Sequence, residues 1–258
     1  MANMKHLPNP RKRPIKRVTP EFPPLPAMLS EATVDFAGKS QEALRSVPTI
    51  STNLTSVFLP LISPNRLHFQ LWVEENSVFV VLRKSYFDLK LKIDSFRPED
   101  YCGVYLRGPP GIGKSYLLYL LAAEYRKSRE RCRVTYISDC GMWRSDPYNY
   151  LLEELATSFY DDTIEAKSIL EWCRAVRGSE REEEMRRMMD ALIHYTHKKN
   201  LLWLVIFDHH NALFDPSVVK KFPFNFIEFL ADYCGSTIKI IVAASADNSE
   251  DYPAKMRG

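Results

Sequence analysis

The residues best suited to chemistry lie in a glycine-rich stretch near the middle of the chain. Residues 108–115 read Gly-Pro-Pro-Gly-Ile-Gly-Lys-Ser and match the pattern G-x-x-x-x-G-K-[ST] without a mismatch. Glycines let the backbone approach phosphate oxygens, because no Cβ stands in the way. The N–H groups of such a loop and of the helix after it surround the phosphates. The stretch therefore predicts a nucleotide-binding P-loop.

Two side chains of this loop are expected to act on the nucleotide. Lys114 would place its ammonium against the β- and γ-phosphates, and the Ser115 hydroxyl would bind Mg²⁺. We expect ATP as the cofactor rather than GTP, because the chain lacks the guanine-reading motif N-K-x-D. The predicted cofactor-binding residues of the loop are Gly108, Pro109, Pro110, Gly111, Ile112, Gly113, Lys114 and Ser115.

A second Mg²⁺ ligand is expected at the end of an apolar strand. Residues 201–207 form a continuous apolar run, and Asp208 follows it directly. The carboxyl end of a buried parallel strand is where open α/β sheets bind their ligands. Asp208 is therefore predicted to bind Mg²⁺ together with Ser115. The alternative is an Asp that only ends the strand.

The residues after Asp208 suggest how water would be activated. Many ATPases of the additional-strand P-loop class have a Glu directly after this Asp, but this chain has His209. A neutral imidazole can accept a proton near pH 7, so His209 is the candidate base, and Asn211 would help to hold the water. Slow or absent hydrolysis is equally compatible with this replacement.

Polar residues at the end of the last apolar run are candidate γ-phosphate sensors. Ser245 and Asn248 follow residues 238–244 and are predicted to contact the nucleotide. Arg107 and Arg144 are expected near the same edge, but no pattern makes either an arginine finger. A plain loop after a core strand would explain the same residues.

Histidines and cysteines give weaker metal signals. His194, His197, His209 and His210 invite a zinc hypothesis, but no Cys or acid completes a ligand set. The five cysteines are widely spaced and contain no C-x-x-C pair, so we expect neither a disulfide framework nor a zinc site.

The periodicity of the chain predicts the elements that position these residues. Apolar strands alternate with helical segments from residue 102 onward, which is typical of a parallel sheet covered by helices. We predict an α/β protein, a three-layer P-loop NTPase sandwich with a mainly parallel sheet. The predicted strands are residues 67–73, 77–83, 104–106, 133–138, 201–207 and 237–243, and the predicted helices are 84–96, 115–127, 147–160, 180–198 and 224–233.

The first 64 residues differ in composition from the remainder. They hold ten of the 17 prolines, and residues 1–20 carry six basic residues and no acidic one, whereas the chain as a whole carries +3. We predict an extended or disordered basic arm at 1–64, a strand/helix lead-in at 65–100 and a P-loop NTPase domain at 101–258. The arm could bind nucleic acid, carry a nuclear-localisation signal or be a solvated tail.

Composition excludes several classes. Apolar residues make up 45% and charged residues 26% of the chain, which is too apolar for a fully disordered protein. The apolar runs are shorter than a membrane span needs, and no signal peptide is visible, so no membrane partner and a cytoplasmic or nuclear location are expected.

Three stretches resemble the P-loop ATPases of the Crinkler and retrotransposon-hot-spot group, which are AAA-like. They are F-V-V-L-R-K-S-Y-F-D-L at 79–89, L-R-G-P-P-G-I-G-K-S-Y-L-L at 106–118 and F-D-H-H-N-A-L at 207–213. The resemblance covers about residues 77–250. It implies ATP binding, possible hydrolysis, self-association in which a neighbour supplies an arginine and, for Crinklers, delivery into a host cell with nuclear targeting.

The chain also departs from that family's pattern. It shows no Crinkler-type leader, and it stops about a dozen residues after the sensor-like strand, before an expected fifth strand and lid, so a truncated module is one interpretation. Residues 77–83 could occupy the place of that strand. Four functions compete: an Mg²⁺-dependent ATPase, a nucleotide-dependent switch or interaction protein that binds ATP without appreciable turnover, a nucleic-acid-binding protein that uses the basic arm, and a small-molecule kinase.

Overall fold

The structure is a computed structural model, and it describes residues 31–63, 73–74, 77–95, 103–159, 181–214, 226–227, 229–230 and 237–245. The helices are α1 (Glu31–Ser46), α2 (Lys84–Ser95), α3 (Lys114–Lys127), α4 (Cys140–Ser145), α5 (Pro147–Ser158) and α6 (Arg181–Lys198), with a 3₁₀ helix at His210–Phe214. The strands are β1 (Ser56–Pro60), β2 (Val73–Glu74), β3 (Ser77–Val81), β4 (Gly103–Gly108), β5 (Cys132–Ile137), β6 (Leu202–Phe207) and β7 (Ile238–Ser245).

Four of these strands form a parallel sheet in the order β4-β7-β6-β5. In the register, Gly108 at the end of β4 pairs with Ser245 at the end of β7, and Phe207 at the end of β6 pairs with Ile137 at the end of β5. All four carboxyl ends therefore meet at one edge of the sheet, where such folds place ligands.

Helices cover both faces of this sheet. Successive side chains of a strand point to opposite faces, and in β6 Trp203 and Val205 pack into one core cluster with α4, α5 and α6. Leu204 and Ile206 pack into the other cluster with α1, α2 and α3. Burial on both faces explains the continuous apolar run in the sequence. The predicted α/β three-layer fold is confirmed.

A second, antiparallel sheet has the order β1-β3-β2. Residues 77–83 therefore do not lie beside the P-loop strand, because Phe79 of β3 pairs with Phe58 of β1 instead. The alternating burial of β3 fits a sheet with one covered face, whereas a central parallel strand would be buried on both.

The prediction of an extended arm through residue 64 is wrong for part of that range, because α1 and β1 lie within it. The prolines do not interrupt either element. Pro48 follows the end of α1, and Pro60 is the last residue of β1. At those positions proline does not break an internal hydrogen-bond ladder. Residues 1–30 lie outside the described residues, as do residues 67–72 of the strand predicted at 67–73 and most of the helix predicted at 224–233.

None of the helices in the described ranges is long and apolar enough to cross a membrane. The two cysteines that the structure describes, Cys132 and Cys140, are buried and free.

A buried ion pair joins α3 to α5. Arg126 Nη2 lies 3.5 Å from Glu154 Oε2, and both side chains are almost fully buried. Ser63, after β1, donates a hydrogen bond to the other carboxylate oxygen at 2.5 Å. Burial lowers the pKa of Arg126, and the negative charge of Glu154 opposes that shift. Ser63 and the ion pair therefore join the segment after β1 to α3 and α5.

We expect Arg126→Met to destabilise the protein by about 3–5 kcal/mol, because it leaves a buried carboxylate without its cation. The double variant Arg126→Met/Glu154→Leu should recover most of that loss. Urea unfolding followed by circular dichroism measures both. A double variant as unstable as the single one would show that the ion pair itself, rather than the unpaired charge, sets the stability.

Candidate functional site

The P-loop forms the turn between β4 and α3. Gly111 has φ +76° and Gly113 has φ +90°, both in the left-handed region that residues with a Cβ rarely adopt. Gly113 is also the N-cap of α3, so no cap side chain occupies the first N–H groups of that helix. These two glycines give the loop its shape and leave the start of α3 open to an anionic ligand.

Lys114 lies across its own loop. Its Nζ donates hydrogen bonds to the carbonyl oxygens of Gly108 at 2.8 Å and Pro109 at 2.7 Å. The ammonium is therefore held between the end of β4 and the start of α3. Phosphate oxygens bound by the loop would lie close to this charge.

Asp208 and Ser115 are in contact. Asp208 directly follows β6 and is almost fully buried, and its carboxylate is hydrogen-bonded to the Ser115 side chain. Two further donors surround it: the backbone N–H of His209 at 2.8 Å and, at 3.5 Å, the hydroxyl of Tyr136. The structure thus brings together the two predicted Mg²⁺ ligands, which come from positions 93 residues apart.

The electrostatics of Asp208 follow from this environment. Burial raises the pKa of Asp208 from 3.8 to about 6, and the hydrogen bond with Ser115 and that from the His209 N–H oppose the shift. A carboxylate and a hydroxyl are the hard oxygen ligands that Mg²⁺ prefers, and a bound cation would offset the buried charge. The two residues therefore fit the predicted metal.

His209 lies beside Asp208 in a left-handed conformation, with φ +54°. Its Nδ1 lies 3.4 Å from Oδ1 of Asp139, which follows the end of β5. The same Asp139 oxygen accepts hydrogen bonds from the N–H groups of Gly141 and Met142 and so caps α4. Because these hydrogen bonds fix the Asp139 carboxylate, it can orient the imidazole ring of His209.

The other predicted residues occupy different positions. Asn211 lies half-buried in the 3₁₀ helix after His209. Ser245 ends β7 and pairs with Gly108 at the end of β4, and Asn248 lies outside the described residues. Arg144 donates a hydrogen bond to the carbonyl oxygen of Ala212 at 2.6 Å, so it supports the 3₁₀ helix. The roles of all these residues stay predictions.

The histidines lie in contrasting environments. His194 and His197 are exposed on α6, whereas His210 is buried, and burial lowers its pKa to about 4. Across the residues that the structure describes, no group of three or more His, Cys, Asp or Glu side chains could hold a metal ion. The described residues thus give the zinc hypothesis no support.

Sequence reasoning missed three residues of this region. Arg83, after β3, donates a hydrogen bond from Nη1 to the carbonyl oxygen of Ile112 at 3.0 Å, so a cation from the second sheet lies against the P-loop. The other two are Tyr136, which lies in β5, and Asp139, which lies two residues after the end of β5. No motif marks them, but any residue at or near the end of a strand beside β6 is a candidate.

No protein-family profile matches this chain, and no curated protein matches it significantly. Cdc6p from Pyrobaculum aerophilum resembles it with 18% identity and a TM-score of 0.37, over 75% of this chain and 45% of that one. An ORC2 protein from Aeropyrum pernix, solved as ADPNP–ADP complexes, does so with 15% identity and a TM-score of 0.39, over 73% and 46%. The chain spans less than half the length of either, and the resemblance to the Crinkler group stays a prediction.

The raised pKa of Asp208 predicts a pH-dependent stability in the absence of Mg²⁺. The folded protein holds this proton more tightly than the unfolded chain, so its free energy of unfolding falls as pH rises from about 4 to about 6. Asp208→Asn removes the titration and should stabilise the protein at pH 8 by up to about 3 kcal/mol, with no gain near pH 4. Urea unfolding in EDTA at both values measures this.

The matched control for that experiment is Asp35→Asn, which changes an exposed carboxylate on α1. An Asp208→Asn gain of equal size at pH 4 and pH 8 would contradict burial of the charge as its cause.

Proposed function

We propose that this protein binds Mg²⁺–ATP at the P-loop and hydrolyses it. The observation that carries the proposal is the contact between Ser115 of the P-loop and Asp208 directly after β6, since P-loop NTPases hold Mg²⁺ with a P-loop hydroxyl and a strand-end Asp. The left-handed glycines, the open start of α3 and the position of Lys114 are consistent with it.

Each residue has a distinct task in this proposal. The loop N–H groups bind the phosphates, and Lys114 offsets their charge as the γ-phosphoryl group is transferred. Ser115 and Asp208 would hold Mg²⁺, which supplies charge neutralisation at the phosphate oxygens. Ser245, beside Gly108, and Asn248 would sense the γ-phosphate.

Activation of water is assigned to His209. An imidazole can take a proton from water as the new P–O bond forms, provided that its ring is held in place. The contact between Nδ1 of His209 and Asp139 supplies such an orientation. Asn211, two residues farther on, would hold the water.

A nucleotide-dependent switch is the second candidate, and the identity of residue 209 favours it. An imidazole in place of the usual carboxylate lowers the expected rate of turnover, whereas the phosphate-binding residues are complete. Such a switch would act through a protein partner, self-association or nucleic acid. The basic residues before position 20 are the proposed nucleic-acid contact, and a nuclear location and a Crinkler-like role remain proposals from sequence.

Lys114→Ala should abolish ATP binding or weaken it by at least tenfold, because the phosphates lose a directed cation worth about 1.5–3 kcal/mol. The measurements are calorimetric ATP binding with Mg²⁺ and steady-state phosphate release on the same preparation. Lys39→Ala, which removes an exposed lysine on α1, is the matched control. A wild-type protein that binds no nucleotide would overturn the proposed function.

Variants at position 209 separate the ATPase from the switch. If His209 is the base, His209→Asn should lower the rate of phosphate release about 10²-fold or more while ATP binding stays intact. Asn is chosen because it tolerates the left-handed backbone that His209 adopts. If instead the wild type binds ATP without turnover and His209→Glu gains it, the switch is supported.

A further inference from the structure

We propose that Tyr136 is a positioning residue for the Mg²⁺ site, and that its hydroxyl fixes the orientation of the Asp208 carboxylate. The inference rests on the proposed function, because it deepens the account of the same metal site. Tyr136 lies in β5 and belongs to none of the motifs found in the sequence.

The sheet register puts Tyr136 within reach of Asp208. Tyr136 pairs with Ile206 of β6, so Asp208, two residues farther along, is its diagonal neighbour on the same face of the sheet. Diagonal neighbours are far enough apart that only a long side chain spans the gap. The tyrosine does so, and its hydroxyl lies 3.5 Å from Oδ2 of Asp208.

The two carboxylate oxygens then have different partners. Oδ1 accepts a hydrogen bond from the backbone N–H of His209, and Oδ2 faces the hydroxyl of Tyr136. Together these donors, one from the chain after β6 and one from β5, restrict rotation of the carboxyl group. A carboxylate held in one orientation keeps its contact with the Ser115 hydroxyl, with which it would share the metal ion.

The ring of Tyr136 is itself held in place. It is fully buried and packs edge-to-face against Tyr119 of α3, with ring centroids 6.1 Å apart and an interplanar angle of 75°. Complete burial holds the Tyr119 ring in place, and its hydroxyl faces away from Asp208: it donates to the carbonyl oxygen of Pro60 at 2.7 Å and accepts from the N–H of Ile62 at 3.2 Å. The hydroxyl of Tyr136 therefore cannot turn away from Asp208 without disturbing the core.

The two tyrosines provide a matched comparison. Both are fully buried in the same cluster, and both have a hydroxyl with a hydrogen-bond partner. Only the hydroxyl of Tyr136 is directed at the predicted metal ligand, whereas that of Tyr119 is bound to backbone groups. If the Tyr136 hydroxyl acts by orienting the Asp208 carboxylate, and not through packing of the ring, the two Tyr→Phe variants must differ in their affinity for the metal ion.

The test is Mn²⁺ binding measured by electron paramagnetic resonance, with Mn²⁺ as the probe for the Mg²⁺ site. Titrations of the full chain are made without nucleotide and with ATP. Tyr136→Phe should weaken Mn²⁺ binding roughly tenfold, the effect of losing a hydrogen bond to a charged group. It should leave ATP binding in EDTA close to that of the wild type. Tyr119→Phe should bind Mn²⁺ as the wild type does.

Two results would overturn the inference: equal Mn²⁺ binding by Tyr136→Phe and the wild type, or equal weakening in both variants. The nucleotide-free titration separates this inference from the proposed function. A wild type that binds Mn²⁺ but no ATP would defeat the proposed function alone, and the variants would still decide the role of Tyr136 by Mn²⁺ binding. A wild type that binds neither would defeat both.

Discussion

The arrangement of the candidate site is determined by a carboxylate buried where β6 ends. A carboxylate removed from water must be surrounded by donors or by a cation, because its desolvation is otherwise too costly. For Asp208 the donors come from three places: Ser115 at the start of α3, the N–H of His209 and the hydroxyl of Tyr136. Satisfying this one group therefore fixes the relative positions of the P-loop helix, β5 and the segment after β6.

Residues 60–63, at and after the end of β1, contact the helices and side chains that surround this carboxylate. Pro60 and Ile62, at and after the end of β1, bind the hydroxyl of Tyr119, and Ser63 binds the buried Glu154. These contacts reach the helix that begins at the P-loop and the ring that supports Tyr136. The small antiparallel sheet thus packs on the layer that supports the candidate site, and its Arg83 lies against the loop itself.

The parts of the fold that the sequence predicted are those with a strong local signal. The P-loop has a fixed spacing, and the apolar strands are buried on both faces, so the parallel sheet and the proximity of Ser115 and Asp208 could be predicted. α1 could not, because the prolines on either side of it dominated the composition of residues 1–64. Tyr136 and Asp139 could not either, since their contacts depend on strand register and on a helix cap, which no spacing in the sequence specifies.

The hydrogen bonds of Lys114 have a consequence for the thermodynamics of ligand binding. A free lysine loses up to about 2 kcal/mol of side-chain entropy when a ligand immobilises it. Here two carbonyl oxygens already order the side chain, so much of that loss precedes the arrival of a nucleotide. When a nucleotide binds, the Lys114 ammonium exchanges its hydrogen bonds to carbonyl oxygens for contacts with phosphate oxygens. The affinity therefore includes only the difference in free energy between these two sets of contacts.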